Sequence, residues 1–156
     1  DTFYHQLGFG DLQEVVADSI QDYPHVLSPT VFLHLDTTIT SMAGQDVRYL
    51  YWVNNSGVVF HADRVDNHLA GGAEVQLDQR WRPIHHVPAV FCGNSLGTAP
   101  LNAQQFCRFE VPVYMGSIKV PMRYALYSRD TVLYSNTIQA YIHPDQVLER
   151  KSLFQW

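Results

Sequence analysis

His61 and Asp63 fall two residues apart in a run of strand character, so their side chains share one face, and Asp66 and His68 follow in the next loop. His85-His86 opens a further loop. Imidazole and carboxylate groups converging from a strand and two loops are donor types that zinc takes. That makes His61, Asp63, His68 and His85, or His86 in its place, a candidate metal site and, with an activated water, a metal-dependent hydrolase. No His-Glu-x-x-His or similarly fixed ligand spacing accompanies them, so ordinary surface and capping histidines account for the same residues. His34 and Asp36 share a strand face in the same way and carry the same weight.

Other chemistry finds less support. Gly93-Asn94-Ser95-Leu96-Gly97 has the spacing of a nucleophile elbow, but an elbow needs a strand before it and a helix after it. The Gly-Thr-Ala-Pro continuation supplies no helix, and no residue is assigned as catalytic. No glycine-rich stretch opens a helix, so no phosphate-bearing cofactor is expected. Aromatic residues are plentiful, with 9 Tyr, 8 Phe and 3 Trp. Trp52, Trp81 and Tyr114 fall on strand faces that read as less buried than their opposites. Rings placed there could stack on sugars or anchor a protein partner, unless a second layer covers them.

These side chains must be positioned by strands. From Cys107 to Ile142 three alternating apolar runs are separated by Met-Gly-Ser and Ser-Arg-Asp, which predicts an antiparallel meander. Val31–Ile39 alternates as a strand. Val47–Asn55 is apolar on both faces, Tyr49, Tyr51 and Val53 against Leu50 and Trp52, which predicts a strand covered twice. Asn54-Asn55-Ser56-Gly57 signals a hairpin returning through Gly57–Val65, and residues 74–84 read as one further strand. Upstream, Asp11 and Glu14 have capping-box spacing, and Leu12, Val15, Val16 and Ile20 form a stripe. A helix from about Leu12 to Gln21 follows, stopped before Pro24, and it is the obvious second cover for the doubly apolar strand. Its other face lines up Asp11, Glu14, Asp18 and Asp22. That line is a solvated face or a docking surface for a basic partner.

The resulting fold class is mostly β (α+β): an antiparallel two-sheet β-sandwich of about seven or eight strands with one N-terminal amphipathic helix, a closed barrel being the alternative. A chain of 156 residues forms one domain, with an arm and helix over 1–24, the sandwich over 30–142 and a tail over 143–156. Charged residues are only 16% of the chain and the net charge is -5, with no Lys or Arg before Arg48, which argues against nucleic acid. No apolar run is long enough for a transmembrane segment.

Cys92 and Cys107 bracket a loop of Gly, Pro, Asn and Ser character, a spacing suited to a disulfide worth roughly 3 kcal/mol. Two buried free thiols are the other reading. A disulfide implies an extracytoplasmic location, periplasmic or secreted. A chain that begins at Asp1 fits removal of a signal peptide and equally a fragment. The expected function is a non-catalytic extracytoplasmic interaction domain, a component of a secreted or envelope-associated assembly with a protein partner. Carbohydrate or small-ligand binding through the sheet aromatics comes second, and the His/Asp hydrolase third.

Overall fold

The computed structural model describes residues 16–65, 67–84 and 96–147 of the chain. Within them the strands are β1 (Asp18–Ser19), β2 (Val31–Leu35), β3 (Thr40–Met42), β4 (Gln45–Asn54), β5 (Phe60–Val65), β6 (His68–Leu69), β7 (Gly71–Leu77), β8 (Arg80–Pro83), β9 (Leu96–Leu101), β10 (Gln105–Pro112), β11 (Ile118–Ser128), β12 (Thr131–Tyr134) and β13 (Ile138–Ile142). Helical structure among the described residues is confined to two 3-10 turns, Ile20–Asp22 and Pro144–Gln146. No helix there is long and apolar enough to cross a membrane.

The described residues are mostly β, in three antiparallel sheets. In the first, β10 lies between β1 and β4, and the far edge of β4 takes β2 and then β3. In the second, β11 lies between β7 and the broken edge β12 plus β13, with β8 beyond β7. The third is β6-β5-β9. Alternation decides which side chains meet: Leu33 and Leu35, Leu50 and Trp52, Phe109 and Val111 from the first sheet share one core with Val75, Met122, Tyr124, Leu126 and Ile142 from the second and Ala62 and Leu101 from the third.

Three sheets around one core leave seams, and each seam is stitched by polar groups. Between the first and second sheets, Asn136 Oδ1 accepts from the Leu35 N–H at 2.8 Å while its Nδ2 donates to the Leu35 carbonyl at 3.0 Å. Asn54, fully buried, donates from Nδ2 to the carbonyls of Leu101 on β9 (2.9 Å) and Val58 (2.8 Å), and its Oδ1 accepts from the Ser56 N–H and Oγ. The third sheet meets the second through Ala70 N–H to Asp63 O, Tyr127 N–H to Ala70 O and Ser128 Oγ to His61 O.

Several expectations are corrected here. The helix predicted to run to Gln21 is absent over its described part: Asp18 and Ser19 are a strand paired with Phe106 and Gln105, and one 3-10 turn follows. Two ladder bridges and the turn's contacts hold this segment more firmly than helix propensity alone, which is weak against tertiary pairing. Asp11 and Glu14 lie outside the described residues, whereas Asp18 and Asp22 are exposed on the strand and the turn rather than aligned on a helix. The run after Asn54 does not return along β4, because β10 and β2 already occupy both β4 edges. The chain crosses to the third sheet instead.

Residues 74–84 are not one strand. Asp78 and Gln79 both adopt positive φ (51° and 62°), a two-residue hairpin turn that splits the run into β7 and β8. The cysteine-bounded stretch read as a loop contains β9. Nor is the terminal part a meander: β10 belongs to the first sheet and β11 to the second. Gly116 sits in that crossover, where any Cβ would overlap the backbone of Ile142 and His143. The β11–β12 hairpin does form as expected, but the break at Ser135–Thr137 adds a residue's worth of offset, so Leu133 packs on the core and Tyr134 faces outward.

Asn136 stands in for a missing strand partner of Leu35. Asn136→Ala is expected to lower unfolding free energy by about 2 kcal/mol, since two hydrogen bonds to a buried residue are lost. Asn136→Asp is expected to do worse, because a carboxylate would face the Leu35 carbonyl without a donor. Urea titration checks both, and a loss below about 0.5 kcal/mol for Asn136→Ala would show that the seam does not depend on this amide.

Candidate functional site

The outer face of the first sheet carries the densest gathering of titratable and aromatic groups among the described residues. Strand β4 presents Tyr49, Tyr51 and Val53 there, β2 presents Phe32 and His34, and β10 presents Phe106 and Arg108. Such a face must be covered or solvated. The cover comes from the segment just after β1: Ile20 and Tyr23 are buried against Tyr51, Val53 and Phe106. The doubly covered strand expected from the sequence is therefore present, with a 3-10 turn and the residue after it as its second cover in place of a helix.

Tyr23 is the hub. Its ring meets Phe32 (6.0 Å between centroids), Tyr51 (5.4 Å), Phe106 (5.4 Å) and His25 (5.7 Å), all edge-on, the arrangement aromatic quadrupoles favour. His25 continues over the face, 4.7 Å from the His34 ring and 5.2 Å from Tyr51. His25 Nε2 lies 3.2 Å from Asp36 Oδ2, near enough for attraction between charges but without hydrogen-bond alignment. Asp36 Oδ1 accepts from the Thr38 N–H at 2.9 Å.

Burial dominates the electrostatics. It pushes the Tyr23 hydroxyl up to about 12, with smaller contributions from Tyr51 and Asp36. Burial also raises Tyr51, partly offset by Arg108. His34 is held below the usual histidine range, first by burial and then by the neighbouring His25, with Asp36 pulling weakly the other way. At Asp36 burial opposes ionisation, but the hydrogen bonds from Thr38 and the two histidines outweigh it, and the carboxyl ends below its ordinary range.

The second sheet handles its outer face differently. Arg123 on β11 lies 4.0 Å from the Trp81 ring and 3.7 Å from the Tyr134 ring, and its Nε donates to Glu74 Oε2 at 3.0 Å. The guanidinium is sandwiched between two rings contributed by the sheet itself. A cleft of about 410 Å³ opens where the third sheet meets the end of β11, lined by Asp63, Arg64, Leu96, Gly97, Tyr127 and Ser128 among others. Arg64 lies flat over Gly97 and donates from Nε to the Thr98 carbonyl at 3.2 Å.

The residues singled out from the sequence are placed as follows. Trp52 is buried in the core at 1% exposure, so it cannot stack on a ligand without opening the fold; a strand apolar on both faces gave no way to tell which ring was outside. Trp81 is outward but occupied by Arg123, and Tyr114 packs against the core. His61 is exposed on β5 and Asp63 lines the cleft, while His68 sits on β6 opposite Val65. His85, His86, Asp66, Ser95 and Cys92 lie outside the described residues. Among the described residues no three His, Cys, Asp or Glu side chains are grouped so as to hold a metal ion.

Cys107 is a free, buried thiol here rather than half of the expected disulfide. It lies on the core face of β10, and burial, with a lesser push from Asp18, raises it to about 12. It packs as a small apolar group.

His34 and Asp36 were visible as a same-face pair, but His25, Tyr23 and Tyr51 were not read as their neighbours. The signal available was the aromatic Tyr23-Pro24-His25 triplet upstream of a strand whose second apolar face lacked a cover. Comparison with family models, with curated proteins and with solved structures finds no match.

Because the Tyr23 hydroxyl is buried with no hydrogen-bond partner among the described residues, its removal should cost little. Tyr23→Phe is expected to stay within about 0.5 kcal/mol of the parent, whereas Tyr23→Ala should lose about 3 kcal/mol. Equal losses in the two variants, measured by denaturant unfolding, would mean that the hydroxyl rather than the ring holds the cover.

Proposed function

We propose that the chain is a non-catalytic interaction domain of an extracytoplasmic assembly, with the two larger sheets as sandwich-like layers closed at one end by the third. One observation carries the binding part. Val26 and Val58 stand out from adjoining loops at 92% and 71% exposure, with Leu27 and Val59 exposed beside them. The loops are fastened to each other, Asn55 Nδ2 donating to the Ser28 carbonyl at 2.8 Å and the Asn55 N–H to the Thr30 carbonyl at 3.2 Å. The Asn54 side chain and the Gln104 amide, donating to the Ser56 carbonyl at 3.1 Å, hold the second loop in turn. Aliphatic tips held in place at one end of a rigid scaffold are suited to docking on an apolar patch of a protein partner.

Ligand stacking is the weaker reading, since the rings proposed for it serve the core or Arg123. The compartment rests on the Cys92–Cys107 spacing alone, and the free Cys107 thiol counts against it. Counting thiols under denaturing conditions in oxidatively made protein decides that part: none reactive supports an oxidising compartment, two reactive removes its basis.

For the contact itself, a photo-crosslinker in place of Leu27, exposed beside Val26, is expected to trap one protein partner. Val26→Asp combined with Val58→Asp should weaken that capture at least about tenfold, with thermal unfolding unchanged, because a charge in an apolar contact costs more than about 1.4 kcal/mol. A domain that stays monomeric and traps nothing argues against an interaction role.

A further inference from the structure

The cover on the first sheet is built around two imidazoles and a single carboxylate, and it is tied down lightly. Its backbone contacts are the two-residue ladder of β1 on β10 and the Ile20 N–H donating to the Gln104 carbonyl at 2.9 Å. The rest of its hold is side-chain packing of Ile20, Tyr23 and His25. We propose that Asp18–His25 is a pH-sensitive strap, released from the outer face of the first sheet when His25 and His34 are both protonated, which uncovers the aromatic surface of Phe32, Tyr51 and Phe106.

The geometry supplies the charge imbalance. The His25 and His34 rings lie tilted to each other with centroids 4.7 Å apart, so two imidazolium ions there would repel across a half-buried contact. Among the described residues, the charged or titratable groups nearest them can be named. The strap brings Tyr23 and His25. β2 and the residue after it bring His34 and Asp36, β4 brings Tyr49 and Tyr51, and β10 brings Arg108. Asp36 can neutralise one imidazolium, and its 3.2 Å approach to His25 assigns it there. The second proton meets an arginine, neutral phenols and an already charged neighbour.

The direction of the pH dependence follows from linkage. His34 titrates below its ordinary 6.5 while the strap is docked, so the released state binds more protons in the interval between the two values. The strap's hold is complete above about 6.5 and falls as the pH drops toward the docked titration point, below which it levels off. Asp36 acts in a separate window: Thr38 and His34 stay beside it when the strap leaves, so only the part of its lowering that comes from His25 favours the docked form, present above 3.8 and fading as the pH falls through the depressed value.

Hydrogen exchange of the full chain between about pH 8 and about pH 5, corrected for chemical exchange rates, tests the strap. Below about pH 6.5 the opening of the Ile20 and Tyr23 amides is expected to rise by up to about tenfold per pH unit for the one proton taken up. The Tyr127 amide of β11, which donates to the Ala70 carbonyl, should keep its protection. In His34→Gln the rise should vanish. Flat protection at Ile20, a rise that survives in His34→Gln, or parallel loss at Ile20 and Tyr127 would each overturn the strap. Should the variant not fold, an NMR titration of the parent decides, because a His34 midpoint at or above 6.5 contradicts the proposal.

Discussion

A buried peptide group must be hydrogen-bonded, and in this chain two asparagine side chains meet that requirement where strands cannot. Three sheets sharing a core leave seams in which ladder partners run out. An asparagine amide offers a donor and an acceptor in the geometry of a peptide, so Asn136 treats Leu35 as a neighbouring strand would, joining the edge of the first sheet to the broken edge of the second. Asn54 does the same at the opposite end, with all four of its bonds directed to a turn and to β9. Without these amides the seams would need water, and the apolar side chains on either side would be separated by it. The packing of Leu35 and Leu101, both at or near zero exposure, depends on that closure.

Closing the core in this way fixes the role of β4. With β10 on one edge, β2 and β3 on the other, and Leu50 and Trp52 facing inward, its remaining face can only point away from the core. Tyr49, Tyr51 and Val53 on that face are too apolar to be left wet. The first sheet thus acquires a separate small core outside the main one, made by a passing segment rather than by another sheet, and the histidine cluster is a by-product of where that segment ends. Its character is marginal because its cover has few backbone bonds. Segments of that kind open at lower free energy than the strands they rest on.

Much of this was legible in the residue pattern. The inward and outward sides of β10 and of β11 follow from strict alternation, as does the demand for a second cover on β4. Pairing was not legible, because alternation states which side chains share a face but not which strand lies beside which. Five residues around Gly116 read equally well as a hairpin turn or as a crossover. Only the Gly116 contact with Ile142 and the occupancy of β10 by β4 decide it. The Asp78-Gln79 turn was hidden because neither residue is glycine, although aspartate tolerates positive φ better than most. The His25–His34–Asp36 cluster was half visible for the same reason: His34 and Asp36 are linked by period two, whereas His25 arrives by tertiary packing.

The two larger sheets solve one problem, an apolar outer face, by chemically different means. On the second, Arg123 lies between Trp81 and Tyr134 with Glu74 as its partner, all supplied by strands of that sheet. A guanidinium remains charged up to about pH 12, so this cover is indifferent to any physiological acidification. On the first, the equivalent place over Tyr51 is taken by an imidazole, His25, a group whose charge changes within the physiological range, on a segment that can leave without breaking the main core. Aromatic faces of similar size are thus sealed permanently in one case and conditionally in the other. The difference lies in two side chains, an arginine anchored in a central strand and a histidine carried by a strap.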